Sequence, residues 1–263
     1  MGTGGSGQLG FRVINSLLRR NFSYVAPSRS ELNLADVNSG REFFKRSKSS
    51  FSAVINCGAY TAVDAAEDNF HLALTVNALS VGQLAKLCSQ MNLPFIHVST
   101  DYVFDGENRE GYFECDDPNP INAYGKTKYM GECLIWNENP DALIVRTSSV
   151  FDRERGNNFY RTMSKLMVQR NVVRVVADQI SCPTTTEYLA DTLVDLLTSK
   201  IGASRISHVV EYDPMSWYQF ACLIRRELMV KYKPNQLAVI QPIASEDFPS
   251  KARRPKYSIL RHR

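Results

Sequence analysis

The sequence predicts an α/β protein built on a doubly wound parallel sheet, with a smaller α/β lobe towards its C-terminal end. Two observations carry that expectation. Short, nearly continuous apolar runs (SAVINCGA at 52–59, PFIHVST at 94–100, ALIVRTS at 142–148) alternate with segments of helical periodicity, as strands covered on both faces by helices do. In addition, Gly4, Gly7 and Gly10 stand directly before an apolar helical face on Leu9, Val13, Leu17 and Leu18, the pattern of a loop turning into a helix.

Taken in order, the glycine loop and its helix are followed by SYVAP (23–27), a short strand ended by a proline, and then by the run at 52–59. A helix is expected on Val76, Leu79, Leu84, Leu87, Cys88 and Met91, then the strand at 94–100, a helix around 122–137 and the strand at 142–148. After about residue 149 the rhythm changes. Thr184–Leu197 reads as a helix with Thr184 and Glu187 in capping-box spacing and Leu189, Leu193, Leu196 and Leu197 on its apolar face. The division expected is a dinucleotide-binding domain over 1–148 and a substrate-binding lobe over 149–263, with the segment around 172–200 assigned either to that lobe or back to the main sheet.

The start of the chain conflicts with this pattern. A first strand normally takes about 5–6 residues, and only Met1, Gly2 and Thr3 precede Gly4. In a doubly wound sheet that strand lies centrally, so its absence would leave two neighbours with unpaired ladders. The expectation is therefore a truncated first strand, in a chain shortened from a longer protein.

Bulk properties exclude some functions. With 263 residues, 44% hydrophobic and 22% charged, the chain has the make-up of a globular domain. The net charge of +4 is mild and its basic residues are scattered, apart from KARRPK (251–256) and a short terminal cluster. These read first as solvated surface and second as attraction for an anionic ligand; nucleic acid is not expected as a partner. The six cysteines lie singly, with no CxxC pair to hold a metal, which suits a reducing cytoplasm. No apolar stretch approaches the roughly 20 residues of a membrane span, so no membrane partner is expected.

Three motifs carry chemistry. The glycines let backbone approach a pyrophosphate while a helix N-terminus offers free N–H donors. In YGKTK, Tyr124 and Lys128 lie four apart on one helix face. A free phenol, with a pKa of about 10, is a poor proton donor near neutrality, and a neighbouring ammonium lowers that value. Such a pair is suited to protonating a carbonyl oxygen as hydride reaches its carbon; as an ordinary exposed Tyr–Lys pair it would do nothing. Finally, STDYVFDG (99–106) follows an apolar strand and would place Thr100 and Asp101 at the crevice where open α/β sheets bind ligands, or simply form a strand end with a turn at Asp105–Gly106.

These segments, together with SELNLAD, INCGAYTAVDAAE, VNA, NAYGKTKYMGE, VRTSSVF, GNNF, DQISCPTTTEYLAD and SWYQFA, resemble the extended short-chain dehydrogenase/reductases, and within them the dTDP-4-dehydrorhamnose reductase family. The resemblance runs nearly end to end and implies a Rossmann-like fold. It implies that Gly7, Gln8 and Leu9, with Gly4 and Gly10, lie at the cofactor pyrophosphate. Asn33 and Leu34 would meet the adenine, and Ala59, Tyr60 and Thr61 would line the path to the nicotinamide ribose. Tyr124 would be the proton donor and Lys128 the holder of ribose hydroxyls. Thr100 would bond the sugar's reacting oxygen, and Asp101 would position the sugar. Members reduce the C4 ketone of dTDP-6-deoxy-L-lyxo-4-hexulose to dTDP-L-rhamnose. Related dehydratases carry Asp-Glu after the threonine, where this chain has Asp101-Tyr102.

An acidic residue about 20 positions past the glycines would favour a free 2′-hydroxyl, but here Arg29 precedes Glu31, and a guanidinium suits a 2′-phosphate. The expected cofactor is NADP(H), with NAD(H) as the alternative. Two departures from the family stand out: Asn33 where Asp is usual, and Ser149 at the substrate side where an aromatic is usual. The expected function is NADPH-dependent reduction of a nucleotide-linked 4-keto-6-deoxy sugar, with a homodimer as one assembly to test. A competing reading is a non-catalytic NADP-binding subunit similar to the regulatory β subunit of methionine adenosyltransferase; a third is a sugar-nucleotide epimerase that retains its cofactor.

Overall fold

Adjacent residues of three neighbouring strands point to opposite faces of one sheet, and both faces are covered. Ile55, Ile96 and Val145 pack with Leu9, Val13, Leu189 and Leu193. Val54, Phe95 and Ile144 pack on the other side with Val81, Leu84 and Ile135. This is why the strands read as unbroken apolar runs. The computed structural model describes residues 1–47, 51–198 and 205–262.

The sheet has five parallel strands in the order β1-β2-β3-β4-β9: β1 (Gly2–Thr3), β2 (Val54–Asn56), β3 (Phe95–Val98), β4 (Leu143–Arg146) and β9 (Ile206–His208). One face carries α1 (Gln8–Arg19) and α8 (Thr186–Thr198), which lie against each other. The other carries α2 (Ser39–Arg46), α5 (Ser80–Gln90) and α6 (Ala123–Glu138). Between β2 and α5 run α3 (Val63–Asp68), α4 (Phe70–Leu74) and a single π-helical turn at Thr75–Leu79. Phe70–Gln90 is long and apolar enough to cross a membrane by length and composition, but 56% of that window is buried inside the protein, as in a core helix.

A second core joins α7 (Phe159–Gln169) and α9 (Trp217–Leu228) to the parallel pair β6 (Val172–Val176) and β11 (Val239–Ile243) through Phe151, Met167, Val175 and Phe220. Two small sheets tie this part to the first: β5 (Val150–Phe151) with β8 (Thr184–Thr185), and β7 (Ile180–Ser181) between β10 (Met215–Ser216) and β12 (Tyr257–Ser258). The segment expected at 172–200 thus divides over 172–198, with 199–200 outside the described residues. Strand β6 belongs to the second core, whereas α8 packs on the main sheet.

Three sequence expectations are corrected. Strand β1 is two residues long and lies at the end of the sheet rather than at its centre. SYVAP forms no strand: so short a neighbour gives it one backbone hydrogen bond, from Gly2 N–H to Val25 O at 2.9 Å. Thr184 does not cap α8 but pairs in β8. The helix begins two residues later, where the Thr185 hydroxyl accepts from the Tyr188 N–H at 3.2 Å.

Candidate active site

The C-terminal ends of β1 to β4 open into a cleft, and the glycine loop forms its first wall. Gly4 has a left-handed φ of +69°, and a Cβ there would come within 2.8 Å of the Gly58 nitrogen. At Gly10 a Cβ would lie 2.2 Å from the Gly4 carbonyl oxygen, so Gly10 lets α1 sit directly on the loop. Gly7 is the N-cap of α1 and no side chain caps the helix, which leaves the N–H groups of its first turn free for an anion.

Two adjoining cavities follow this wall. The first is lined by Thr3, Gly4, Arg29, Asn33, Leu34 and Tyr60, among others. Glu31 is turned aside there, since the Ser28 N–H and hydroxyl donate to its carboxylate at 2.8 and 2.7 Å. That leaves Arg29 as the charged side chain lining this end. The Asn33 side-chain Oδ1 accepts from the Ala35 N–H at 3.1 Å, fixing the loop that carries Leu34. Ala59 borders both cavities. Tyr60 is held at both its backbone groups by Asn77 from the π-helical turn, at 2.8 and 3.1 Å.

The second cavity, of about 460 Å³, gathers Tyr124, Lys128, Thr100, Asp101 and Ser149 with Gln8, Leu9 and Thr61. Helix α6 presents two of these. Its N-cap, Asn122, accepts from the Gly125 N–H at 2.8 Å, so the helix starts just before Tyr124 and points it and Lys128 into the cavity. Thr100 and Asp101 arrive from the end of β3. The Thr100 hydroxyl lies in the cavity with Tyr124 and donates to Asp101 at 2.9 Å, and Ser148 donates to the other Asp101 oxygen at 2.7 Å.

Burial dominates the electrostatics. It pushes the Tyr124 phenol up to about 12, against the nearby Thr100 hydroxyl, which favours the phenolate. It also raises the Asp101 carboxyl and the Tyr102 phenol. Lys128 is brought down to about 8 by burial, with Glu132 and Cys57 opposing the shift. Its amine donates to the Val98 carbonyl at 2.8 Å and lies 3.0 Å from His97 Nε2. The site therefore combines a protonated phenol, a hydroxyl beside it and an amine able to titrate near neutrality, next to an uncapped helix terminus and a glycine cradle with the shape and donors a dinucleotide needs.

Comparisons with known proteins agree. Residues 1–263 match the RmlD substrate binding domain family. A dTDP-4-dehydrorhamnose reductase of Burkholderia thailandensis is 37% identical over 98% of this chain and 88% of its own length. The chain belongs to the dTDP-4-dehydrorhamnose reductase family. Among solved structures, the reductases of Clostridium acetobutylicum and of Bacillus anthracis, the latter in complex with NADP, each superpose with a TM-score of 0.90. They are 36% and 33% identical and match over 99% and 100% of this chain, and 89% of theirs. Another relative, the spore coat polysaccharide biosynthesis protein SpsK of Bacillus subtilis, is 34% identical over 99% of this chain and 88% of its own length.

As a member of this reductase family the chain brings together nearly all of the residues singled out in its sequence; Gly7 and Gly10 shape the loop without lining either cavity. Ser149 lies at the cavity with a left-handed φ of +47°, its hydroxyl donating to Ser181 at 2.8 Å. No aromatic stands at 149, but Phe159 and Trp217, with ring centroids 4.6 Å apart, line the same cavity from the second core. Sequence reading missed these two, because each sits in a helix whose approach to the cleft is tertiary. It also took Arg254 as solvated surface. That guanidinium borders the cavity, paired with Asp64 at 2.8 Å; the anionic-ligand reading of KARRPK was the signal.

Proposed function

We propose that this chain is an NADPH-dependent reductase of the C4 ketone of dTDP-4-dehydrorhamnose, acting in the cytoplasm. One observation carries the reading: the Tyr124 phenol, the Thr100 hydroxyl and the Lys128 amine share one cavity with the start of α1. The dinucleotide would lie along the glycine loop, with Arg29 at the 2′-phosphate, Leu34 and Asn33 at the adenine, and Ala59 to Thr61 along the route to the second cavity. We take 1–148, joined by α8 and β9, as the cofactor-binding domain and the rest of 149–263 as the substrate lobe.

When bound, the reduced nicotinamide supplies a hydride to the ketone carbon. The chain supplies the rest. Tyr124, held protonated by burial, gives its proton to the ketone oxygen. Thr100, beside the phenol, would turn its hydroxyl proton from Asp101 to the same oxygen. Lys128, when charged, stabilises the phenolate left behind. Asp101 and Ser148 hold the threonine from below. Phe159 and Trp217 offer the apolar wall for the nucleotide-linked sugar in place of an aromatic at 149.

Purified protein given NADPH and dTDP-4-dehydrorhamnose should consume absorbance of the reduced nicotinamide and form dTDP-rhamnose. Binding of NADPH with no absorbance loss would overturn the reading in favour of a non-catalytic binding subunit, which the names of the relatives do not favour. Release of NADP into the buffer after each turnover separates a reductase from an epimerase that keeps its cofactor.

A further inference from the structure

Behind Lys128 lies a buried chain of hydrogen-bonded polar side chains. The Gly58 N–H donates at 3.3 Å both to Asn56 Oδ1 and to the Thr3 hydroxyl oxygen, and Oδ1 also accepts from the Thr3 hydroxyl. Asn56 Nδ2 lies 2.8 Å from His97 Nδ1, and His97 Nε2 lies 3.0 Å from Lys128 Nζ. Asn56 and His97 are completely buried, and Lys128 is 1% exposed.

Donors and acceptors fix where the protons are. Two donors at Oδ1 orient the Asn56 amide so that its NH2 faces His97, and Nδ1 must then accept. A neutral ring accepting at Nδ1 carries its hydrogen on Nε2 and aims it at the amine. An ammonium has three donors and no acceptor. With the Asn56 amide so placed, the chain of bonds fits an uncharged Lys128, which accepts from His97 and donates to Val98. Burial, and then the nearby amine, hold the imidazole titration well below its usual value, so the ring stays neutral and only its tautomer is free to change.

We propose that His97 is a positioning residue for Lys128: charging the amine forces the ring to move its single N–H from Nε2 to Nδ1 and the Asn56 amide to turn over. One proton is taken from solvent and ends on the amine. The ring keeps one N–H throughout, and Nε2 becomes the acceptor for the ammonium. The turned Asn56 offers its oxygen to Nδ1–H and withdraws it from the Thr3 hydroxyl and from the Gly58 N–H, which keeps the Thr3 oxygen as acceptor at 3.3 Å. The charge on Lys128 thus changes the bonding of the loop that borders the first cavity.

The other groups around the amine do not perform this switch. Cys57, from the end of β2, is pushed up to about 12 by burial and stays a thiol. Glu132, on the same helix, is paired with Arg146 at 2.7 Å and accepts from Ser99. Tyr124 faces Thr100, with Asp101 and Tyr102 beyond it and Arg254 paired to Asp64.

Nitrogen-15 spectra of the histidine rings in the native protein test this without substrate or cofactor, with the His97 ring assigned through its own backbone. The expected result is a neutral ring whose hydrogen moves from Nδ1 to Nε2 as pH rises through the Lys128 titration near about 8. A ring that keeps one tautomer across that titration overturns the proposal. In the kinetic arm, which rests on the reductase reading, His97→Gln removes the fixed donor and lets an amide oxygen face the ammonium. The basic limb of kcat/KM should then move up by about one pH unit, a roughly tenfold gain in the amine's proton affinity. A limb that superposes on the wild type also counts against the proposal. Failure of turnover in the wild type would instead sink the reductase reading and leave the spectroscopic result standing.

Discussion

Arg12 grips Asp152 with two hydrogen bonds, Nε to Oδ2 at 2.7 Å and Nη2 to Oδ1 at 2.9 Å, joining the first helix of the dinucleotide side to the segment that leads into α7. Asp152 is completely buried. Burial alone would push its carboxyl up, but Arg12, the Thr186 hydroxyl and the N–H groups of Glu154 and Arg155 outweigh it and hold the carboxyl well below the usual range.

Arg12→Met should therefore leave a buried carboxylate without its counter-charge and cost about 3–5 kcal/mol at neutral pH. The sign of the pH dependence follows from the lowered pKa. The stabilisation from Asp152 is complete above its ordinary value of 3.8 and is lost as pH falls towards its native one. Urea unfolding of both proteins should show the gap narrowing below about pH 4. An equal gap at every pH would mean that Asp152 contributes nothing through its charge.

Tyr124→Phe removes the proton donor and little else. Turnover should fall by about 10²–10⁴-fold, the usual worth of a positioned general acid, while NADPH affinity, measured by nucleotide fluorescence, stays close to wild type. Retained turnover would assign proton donation to another group.

Arg29→Ala addresses cofactor choice. A charge-assisted hydrogen bond to a 2′-phosphate contributes about 1.5–3 kcal/mol, so NADPH affinity should fall roughly ten- to hundredfold while NADH affinity hardly changes. Parallel losses for both nucleotides would remove Arg29 from the 2′-phosphate.

Gly10→Ala meets backbone on the far side, with a Cβ placed 2.2 Å from the Gly4 oxygen. Neither partner is a flexible side chain, so the loop must shift. We expect a stability loss of about 1–3 kcal/mol and weaker NADPH binding, read by thermal shift with and without nucleotide. A variant with wild-type melting and affinity would contradict the tight seat of α1 on the loop.

Much of this was legible before the structure. Strands β2, β3 and β4 are buried on both faces, so their sequences carry continuous apolar runs, and Tyr124 and Lys128 share a face because helical spacing is local. Less was legible where pairing is tertiary. SYVAP has strand composition, but a strand exists only against a partner, and Gly2–Thr3 offers two residues. Thr184 has capping spacing, yet its backbone pairs with Val150 in β8. Phe159, Trp217 and Arg254 reach the cleft from segments distant in sequence, and the polarity of Asn56 and His97 inside apolar strands signals a buried network only once Lys128 is seen behind them.

The central claim is reduction of the sugar ketone in this cleft, and isotope transfer tests it most directly. With dTDP-4-dehydrorhamnose and NADPH deuterated at the transferable position, the product should carry one deuterium at sugar C4, seen by mass spectrometry and proton NMR, in step with NADP formation. NADPH bound at the glycine loop with no deuterium in the sugar would contradict it.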